Sequence, residues 1–269
     1  MNIGQIGFGF VGGALHRSLE KKGVVTTVYD KFQEIGSPEA LLDTDVIFLC
    51  LPTPYVEGHG FDLFAIIENL KFLHKSNYDG LIALKSTVEP GTTERLGSQF
   101  SGLKLCHNPE FLTARTADED FHNQKHIVIG YNEDCSASKD KVSNLSDFFK
   151  ENYSSARISV CTSKESESMK LFCNNFYAMK VQIFNEFYLL CQKIGIDYDN
   201  VKDLMISNEW INPMHTNVPG PDGQISYGGA CFPKDTNALN HFMKTIGSPN
   251  KVLDACVIER DLMREFKLK

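Results

Sequence analysis

The chain has no apolar run long enough to cross a membrane and no excess of positive charge. No stretch approaches 18 uninterrupted apolar residues, so we expect no membrane partner. The 34 acidic residues outnumber the 27 basic ones, which gives a net charge of −7. Because nucleic-acid binding requires a basic surface, this balance argues against nucleic acid as the main partner.

The sequence also lacks the cysteine patterns of metal sites and disulfide scaffolds. Its eight cysteines are scattered, with no CxxC pair and no zinc-like spacing, so we expect no metal site. In a chain of 269 residues this usage is typical of reduced thiols in a cytoplasmic protein. The chain does not open with a basic segment followed by a long apolar run, so we also expect no signal peptide.

The first feature that is present is a glycine-rich turn between a strand and a helix. A strand over 3–6 precedes Gly-x-Gly-x-x-Gly, and a helix to residue 23 and a second strand over 24–29 follow. Such a turn lets a pyrophosphate approach the helix N-terminus, and an acid after the second strand binds ribose hydroxyls. The pattern predicts a dinucleotide site, with NAD favoured over NADP by the acid. The predicted cofactor contacts here are Gly7, Gly9, Phe10, Val11, Gly12, Asp30 and Lys31. The alternative is a tight turn without a ligand.

Strands and helices continue to alternate through the first half of the chain. Apolar runs at 46–51, 81–84 and 103–106 predict buried strands, and each leads into a polar segment. This rhythm predicts a mainly parallel, doubly wound α/β sheet, in which functional residues follow the carboxyl ends of strands. Thr53, Thr87 and Glu110 occupy such positions. Taken singly, each is also explained as a turn or capping residue.

A long helix is predicted over 163–195, because apolar residues recur there with a 3.6-residue period and no proline or glycine interrupts them. Its length of about 45–50 Å is typical of a helix that connects domains or forms a dimer interface. Glu167, Lys170 and Asn174 share one face. The alternative for the first two is an exposed ion pair of little energetic value.

A nine-residue segment, Tyr-Gly-Gly-Ala-Cys-Phe-Pro-Lys-Asp, runs from Tyr227 to Asp235. Its glycines allow close backbone approach to a ligand, and the neighbouring lysine favours ionisation of the thiol of Cys231. Because a thiolate is a nucleophile, the segment predicts covalent catalysis, with Asp235 as a base or water-orienting group. The alternative is a buried cysteine beside a turn. After this segment, two helices are predicted over 236–246 and 250–267.

This segment closely resembles the active-site segment of the UDP-glucose/GDP-mannose dehydrogenase family. The segments LPTP, KSTVEPGT and HNPEFL, and the Glu167, Lys170, Asn174 pattern, resemble further motifs of that family in the same order. The resemblance implies a cytoplasmic oxidoreductase that uses NAD to oxidise the C6 alcohol of a nucleotide sugar, UDP-glucose by default, to the carboxylate. The long helix, for its part, predicts a homodimer formed through it.

The resemblance also implies residue roles. The catalytic residues would be Cys231, Lys170, Asn174, Asp235, Thr87 and Glu110. Further cofactor contacts would come from Pro52, Thr53, Thr87 and Lys234. The substrate would contact Glu110, Phe111, Leu112, Lys170, Asn174, Tyr227, Gly228, Gly229 and Cys231.

The chain departs from the family pattern in three places. The 269 residues contain no second GxGxxG and no further βαβ pattern, so we expect a short form without the family's additional nucleotide-binding domain. The predicted domains are 1–162 (NAD-binding) and 163–269 (all-helical, with the cysteine). Ala114 and Arg115 follow the HNPEFL segment where a glutamate and a glycine are usual. Residues 212–215, before the cysteine segment, contain no arginine.

Three functions from different classes therefore stay open. The first is a compact nucleotide-sugar 6-dehydrogenase. The second is a single-step dehydrogenase of the β-hydroxyacid type, which would not need the thiol of Cys231. The third is a non-catalytic NAD-binding relative.

Overall fold

The structure is a computed structural model that describes residues 1–265. The chain divides into two compact units, one formed by 1–54 with 61–170, the other by 55–60 with the residues from 171 onwards. This division falls inside one long helix, and the predicted boundary after residue 162 stays a prediction.

The strands of the described residues are β1 (Ile3–Ile6), β2 (Thr26–Tyr29), β3 (Val46–Leu49), β4 (Tyr55–Val56), β5 (Gly60–Phe61), β6 (Leu81–Leu84), β7 (Lys104–His107), β8 (His126–Tyr131) and β9 (Arg157–Thr162). The helices are α1 (Phe10–Lys21), α2 (Phe64–Lys75), α3 (Thr92–Gln99), α4 (Ala117–His122), α5 (Ser136–Asn152), α6 (Ser163–Ile194), α7 (Tyr198–Ile206), α8 (Phe232–Thr245) and α9 (Lys251–Glu265), with a 3₁₀ turn at Pro38–Leu41.

The first unit is built on a seven-stranded sheet of order β2-β1-β3-β6-β7-β8-β9. The first five strands are parallel, β8 is antiparallel to β7, and β9 is parallel to β8. The strand order reverses direction at β1, which has β2 on one side and β3 on the other. In open α/β sheets a ligand binds beyond the carboxyl ends of the strands at this switch point.

The core of the first unit explains why these segments form buried strands. Every side chain of β1, β3 and β6 is buried, as expected for parallel strands covered on both faces. Leu15 and Leu19 of α1 and Phe149 of α5 belong to the same apolar cluster as Phe48 of β3. The predicted α/β fold is confirmed.

The second unit is mainly helical. Two smaller apolar clusters stabilise it, one around Ala178 and Tyr227, the other around Phe184 and Tyr198. The long helix predicted over 163–195 is present as α6, and residues 207–231 form no helix or strand. The helix predicted over 250–267 is seen as α9, and the last two of those positions lie outside the described residues.

Several elements differ from the sequence-based expectation, among them α8, α5 and β9. Helix α8 begins at Phe232, four residues earlier than predicted, because Pro233 is tolerated in the first turn of a helix. Helix α5 and strand β9 were not predicted, since α5 starts with six polar or small residues and no side chain of β9 is fully buried.

Among the helices described up to residue 265, none is long and apolar enough to cross a bilayer. Within the same residues, no group of three or more histidine, cysteine, aspartate or glutamate side chains is arranged to hold a metal ion. All eight cysteines are present as thiols.

Candidate active site

The glycine-rich turn joins β1 to α1 and is closely packed at its two ends. Gly7 has a φ of +94°, and a Cβ there would overlap the carbonyl oxygen of Cys50. A Cβ at Gly12 would likewise overlap the carbonyl oxygen of Gly7, whereas a Cβ at Gly9 would meet no atom within 4 Å. The turn therefore needs glycine for packing at its ends and leaves open space in its middle. A pyrophosphate at the N-terminus of α1 fits this arrangement, with Phe10 and Val11 in the first helical turn.

Asp30 follows β2, as predicted, and its carboxylate braces the same turn. It accepts hydrogen bonds from the backbone N–H groups of Phe8 (2.7 Å), Phe32 (2.9 Å) and Gln33 (2.9 Å). Burial alone would raise the pKa of Asp30, but these hydrogen bonds outweigh it and the pKa is lowered. The neighbouring Lys31 forms an exposed ion pair with Glu68 of α2, at 2.9 Å.

The loops after β3 and β6 are tied together at the rim of the sheet. The Thr53 hydroxyl donates to the carbonyl oxygen of Thr87 at 2.8 Å, and the Ser86 hydroxyl donates to the carbonyl oxygen of Leu51 at 2.5 Å. Thr53 and Thr87 are both buried, and Pro52 lies between the two contacts. The structure thus brings the predicted residues of these two loops together.

Glu110, in the loop after β7, pairs with Lys170 of α6. The Lys170 ammonium lies 3.2 Å from Oε1 of Glu110, and both side chains are about nine-tenths buried or more. Oε2 of Glu110 accepts from the backbone N–H of Leu112 at 2.6 Å, and the Lys170 ammonium lies 5.4 Å from the centre of the Phe111 ring. Four residues predicted to serve the substrate are therefore assembled in one place.

Glu167 is fully buried, so the exposed Glu167–Lys170 pair that the sequence left open is not formed. Its carboxylate instead accepts hydrogen bonds from the backbone N–H of Gly91 (2.6 Å) and from the N–H (2.7 Å) and hydroxyl (2.6 Å) of Thr93. Burial raises the pKa of Glu167 to about 7, against the opposing effect of these hydrogen bonds.

Two buried titratable residues at the strand ends were missed by the sequence-based assignment of site residues. Lys85 donates to both the carbonyl oxygen and Oδ1 of Asn108, each at 2.9 Å, and burial lowers the pKa of Lys85 to about 8. Nδ1 of His107 lies 2.8 Å from the hydroxyl of Ser166, and burial lowers the pKa of His107 to about 3. The sequence feature that could have identified them is their position at the end of an apolar strand.

In the second unit, Cys231 is the N-cap residue of α8 and is half-buried. The N-terminus of a helix carries a partial positive charge, which stabilises negative charge placed near it. Because α8 begins at Phe232, both Lys234 and Asp235 lie in its first turn. The sequence predicted these residue types but not their place at a helix terminus.

Asp235 is fully buried and held on both sides. One carboxylate oxygen pairs with the Lys234 ammonium at 2.5 Å, and the other accepts from the amide of Asn174 at 2.6 Å. The side chain of Asn175 also donates to the carbonyl oxygen of Asp235, at 3.2 Å. Three of the predicted residues, Asn174, Lys234 and Asp235, therefore form one hydrogen-bonded group.

The residues before Cys231 are fixed by the C-terminal helix. Tyr227 is 2% exposed, so a contact from it to a substrate would use its backbone, whose carbonyl oxygen accepts from Arg260 of α9. A Cβ at Gly228 would overlap the guanidinium of Arg264, and Gly229 has a φ of +76°. Both predicted glycines thus lie where a side chain is disfavoured.

The positions that depart from the family pattern also have defined places. Ala114 and Arg115 are exposed just before α4. His215, in the segment without an arginine, has a φ of +67° and lies between the rings of Tyr177 (5.2 Å) and Phe232 (5.5 Å).

A dinucleotide-type turn on a mainly parallel sheet, followed by a helical unit, is typical of NAD-dependent dehydrogenases. Comparison with known families agrees with this class. Residues 31–151 match the NAD binding domain of the UDP-glucose/GDP-mannose dehydrogenase family, and residues 164–259 match its central domain. The chain belongs to the UDP-glucose/GDP-mannose dehydrogenase family, and the predicted cofactor, NAD, is confirmed.

Individual relatives extend this result. The UDP-glucose 6-dehydrogenase of Rickettsia prowazekii is 32% identical over 253 residues, which cover 89% of this chain and 52% of the relative. The UDP-glucose 6-dehydrogenase of Rickettsia bellii is 31% identical over 224 residues, 81% of this chain and 50% of the relative. The chain thus spans about half the length of the curated relatives it matches.

Among solved structures, a UDP-glucose dehydrogenase from Pyrobaculum islandicum has a TM-score of 0.84 at 24% identity, covering 97% of this chain and 68% of that one. The 3-hydroxyisobutyrate dehydrogenase of Mycobacterium tuberculosis has a TM-score of 0.76 at 16% identity, covering 97% of this chain and 92% of that one. At these identities the likeness is one of fold.

Proposed function

We propose that the chain catalyses the NAD-dependent oxidation of the C6 alcohol of a nucleotide sugar to the carboxylate, with UDP-glucose as the first substrate to test. The observation that carries this proposal is Cys231 at the N-terminus of α8, in a chain that matches both the NAD binding and the central domain of the family. Relatives that are 31–32% identical are named UDP-glucose 6-dehydrogenases.

The first oxidation converts the alcohol to an aldehyde and releases a hydride and a proton. NAD⁺, when bound, accepts the hydride in this and in the second oxidation. The proposed role of Lys170 is to stabilise negative charge on the substrate oxygen, and that of Asn174 is to hold the sugar or the water beside it. Preorganised groups of this kind contribute on the order of 3–4 kcal/mol each to transition-state stabilisation.

The second oxidation requires Cys231. Its thiolate adds to the aldehyde carbon to give a thiohemiacetal, whose hydride then leaves to give a thioester. Water hydrolyses the thioester, releasing the carboxylate and regenerating the thiol. Asp235, Thr87 and Glu110 are the proposed groups that position and deprotonate this water. One alcohol and one water therefore consume two NAD⁺ and yield one carboxylate, two NADH and three protons.

The remaining contacts are proposed from the places of the residues. Cofactor contacts from Pro52 and Thr53, and substrate contacts from Glu110–Leu112, are supported by their place at the rim of the sheet. A cofactor contact from Lys234 is supported by its place in the first turn of α8, and substrate contacts from Tyr227–Gly229 by their place before that helix. The homodimer formed through α6 and the cytoplasmic location stay predictions.

A single-step dehydrogenase is the second candidate, because the fold match to 3-hydroxyisobutyrate dehydrogenase covers 97% of this chain and 92% of that one. The two reactions differ in whether a thiol is needed, and the non-catalytic alternative differs from both in giving no turnover.

The test is the number of NADH molecules formed per molecule of UDP-glucose, with the sugar limiting and NAD⁺ in excess. The proposal predicts a value of two, measured at 340 nm, and UDP-glucuronate as the product. A value of one with a stable aldehyde would instead support the single-step reaction. Turnover of a small hydroxyacid but not of UDP-glucose would do the same.

The Cys231→Ser variant tests the role of the thiol directly. Because the alcohol oxygen of serine is a far weaker nucleophile at neutral pH, we expect carboxylate formation to fall by more than about 1,000-fold. Cys191→Ser is the matched control, since Cys191 is a buried thiol of the second unit that belongs to the apolar cluster around Phe184 and Tyr198. Full carboxylate formation by Cys231→Ser would refute the covalent mechanism.

A further inference from the structure

Glu167 is a fully buried carboxylate whose three hydrogen-bond donors come from a single loop. Gly91 is the N-cap of α3, and Thr93 lies in the first turn of that helix. The donors are therefore at a helix N-terminus, where negative charge is stabilised by the helix dipole. The same loop, which follows β6, carries Thr87.

The neighbours of Glu167 on α6 are attached to the next strand of the sheet. The hydroxyl of Ser166 lies 2.8 Å from Nδ1 of His107 at the end of β7, and Lys170 pairs with Glu110 in the loop that follows. Two turns of α6 are thus joined to the ends of two adjacent strands, and Glu167 is the contact to the β6 side.

We propose that Glu167 is a positioning residue, which fixes the register of α6 against the β6 loop so that Lys170 and Thr87 keep their places for catalysis. This inference rests on the proposed function, because Lys170 and Thr87 are the groups that Glu167 serves. Its own carboxylate accepts three hydrogen bonds from the loop and does not itself act on the substrate.

The chemistry of the contact explains why a carboxylate is required. One carboxylate oxygen accepts from Gly91 and the other from Thr93, so a side chain with one acceptor oxygen would leave the part-buried N–H of Gly91 or the buried N–H of Thr93 without a partner. An unpaired buried donor is costly, and the loop would move to satisfy it. A displacement of about 1 Å at a catalytic group lowers a rate by on the order of 100-fold.

The Glu167→Gln variant tests the inference, with Glu165→Gln as its matched control. Glutamine preserves the volume but places an amide NH₂ against the N–H of Gly91. Glu165 lies two residues earlier on α6, is exposed, and accepts from the N–H and hydroxyl of Thr162. With UDP-glucose and NAD⁺ we expect kcat of Glu167→Gln to fall by roughly 10- to 100-fold. The KM for NAD⁺ should stay within about twofold, and Glu165→Gln should match the wild type in both.

A measurement that needs no turnover separates this inference from the proposed function. Amide hydrogen exchange at Gly91 and Thr93 should accelerate by at least about tenfold in Glu167→Gln and not in Glu165→Gln. Thr93→Val, which removes only the hydroxyl donor, should give a smaller loss of kcat and serves where Glu167→Gln folds poorly. Unchanged exchange, or a kcat of Glu167→Gln within twofold of wild type, would overturn the inference. Wild-type protein that forms no NADH would refute the proposed function alone.

Discussion

Lys85 is 4% exposed, yet its ammonium contacts neutral groups, the carbonyl oxygen and Oδ1 of Asn108. The rings of Phe48 and Phe121 lie 5.8 and 5.4 Å from the ammonium. Removing a charge from water costs free energy that these contacts return only in part. The ammonium fixes the side chain of Asn108, whose amide donates to the carbonyl oxygen of Val128 in β8 at 2.7 Å.

This cost predicts a specific pH dependence of stability. Burial lowers the pKa of Lys85 from 10.5 to about 8, so between these values the unfolded chain binds a proton that the folded chain does not. Stability conferred by residue 85 therefore rises with pH across that window. The free energy of unfolding of wild type, minus that of Lys85→Met, should increase by about 3 kcal/mol from pH 8 to pH 10.5. Urea unfolding at several pH values measures it, and a difference independent of pH would contradict the assignment.

At the scale of elements, the turn from β1 to α1 needs glycine at one position for packing and at another to leave room for a ligand. A Cβ at Gly12 meets the backbone of Gly7 and the side chain of Gln5, so Gly12→Ala must displace the helix from the strand. Overpacking of this kind costs about 1–3 kcal/mol. Gly9 faces open space at a φ of −72°, which alanine adopts without strain.

The two alanine variants are therefore expected to differ. Gly12→Ala should lower the free energy of unfolding by about 2 kcal/mol or more, whereas Gly9→Ala should stay within about 0.5 kcal/mol of wild type. Gly9→Ala should nevertheless lose most of the thermal stabilisation that NAD⁺ gives to the wild type, because its methyl group occupies the space left for the pyrophosphate. Thermal shift with and without NAD⁺ measures both effects. Equal NAD⁺ responses of Gly9→Ala and wild type would place the cofactor elsewhere.

Sequence predicted the strands well where burial on both faces gives an uninterrupted apolar run. The prediction for 81–84 coincides with β6, whereas the strand predicted over 24–29 begins only at Thr26. The start of α8 was placed too late because proline is also a loop signal, and only the structure shows that Pro233 lies in the first helical turn. Periodicity also gave no indication that β8 runs antiparallel to β7.

The candidate site was predictable as residue types but not as contacts. Spacing placed Glu167 and Lys170 on one face of a helix, yet Lys170 pairs with Glu110, 60 positions away in the chain, and Glu167 binds the β6 loop. Long-range pairs of this kind depend on which strand ends become neighbours. Lys85 and His107 were not recognised as site residues, because their burial depends on the assembled sheet rather than on their neighbours in the sequence.

At the scale of the whole molecule, the second unit exposes a continuous apolar surface on α6. We define this α6 stripe by five exposed side chains, Phe172, Phe176, Ile183, Leu190 and Ile194. At about 100° per residue they lie within roughly 40° of one another around the helix axis. Isolated exposed apolar residues are common, but a contiguous stripe of this length marks an interaction surface.

A second copy of the chain is the predicted occupant of the α6 stripe, because a helix face can pair with itself in a two-fold dimer. Phe176 is 65% exposed in the single chain, so Phe176→Glu leaves the core unchanged but would bury a charge in such an interface. We expect wild type to have twice the mass of the chain by light scattering and Phe176→Glu to have the mass of one chain. Gln192→Glu adds the same charge on the opposite face of α6 and should stay dimeric. A wild type that is monomeric at micromolar concentration, or a Phe176→Glu variant that is still dimeric, would exclude the α6 stripe as the dimer interface.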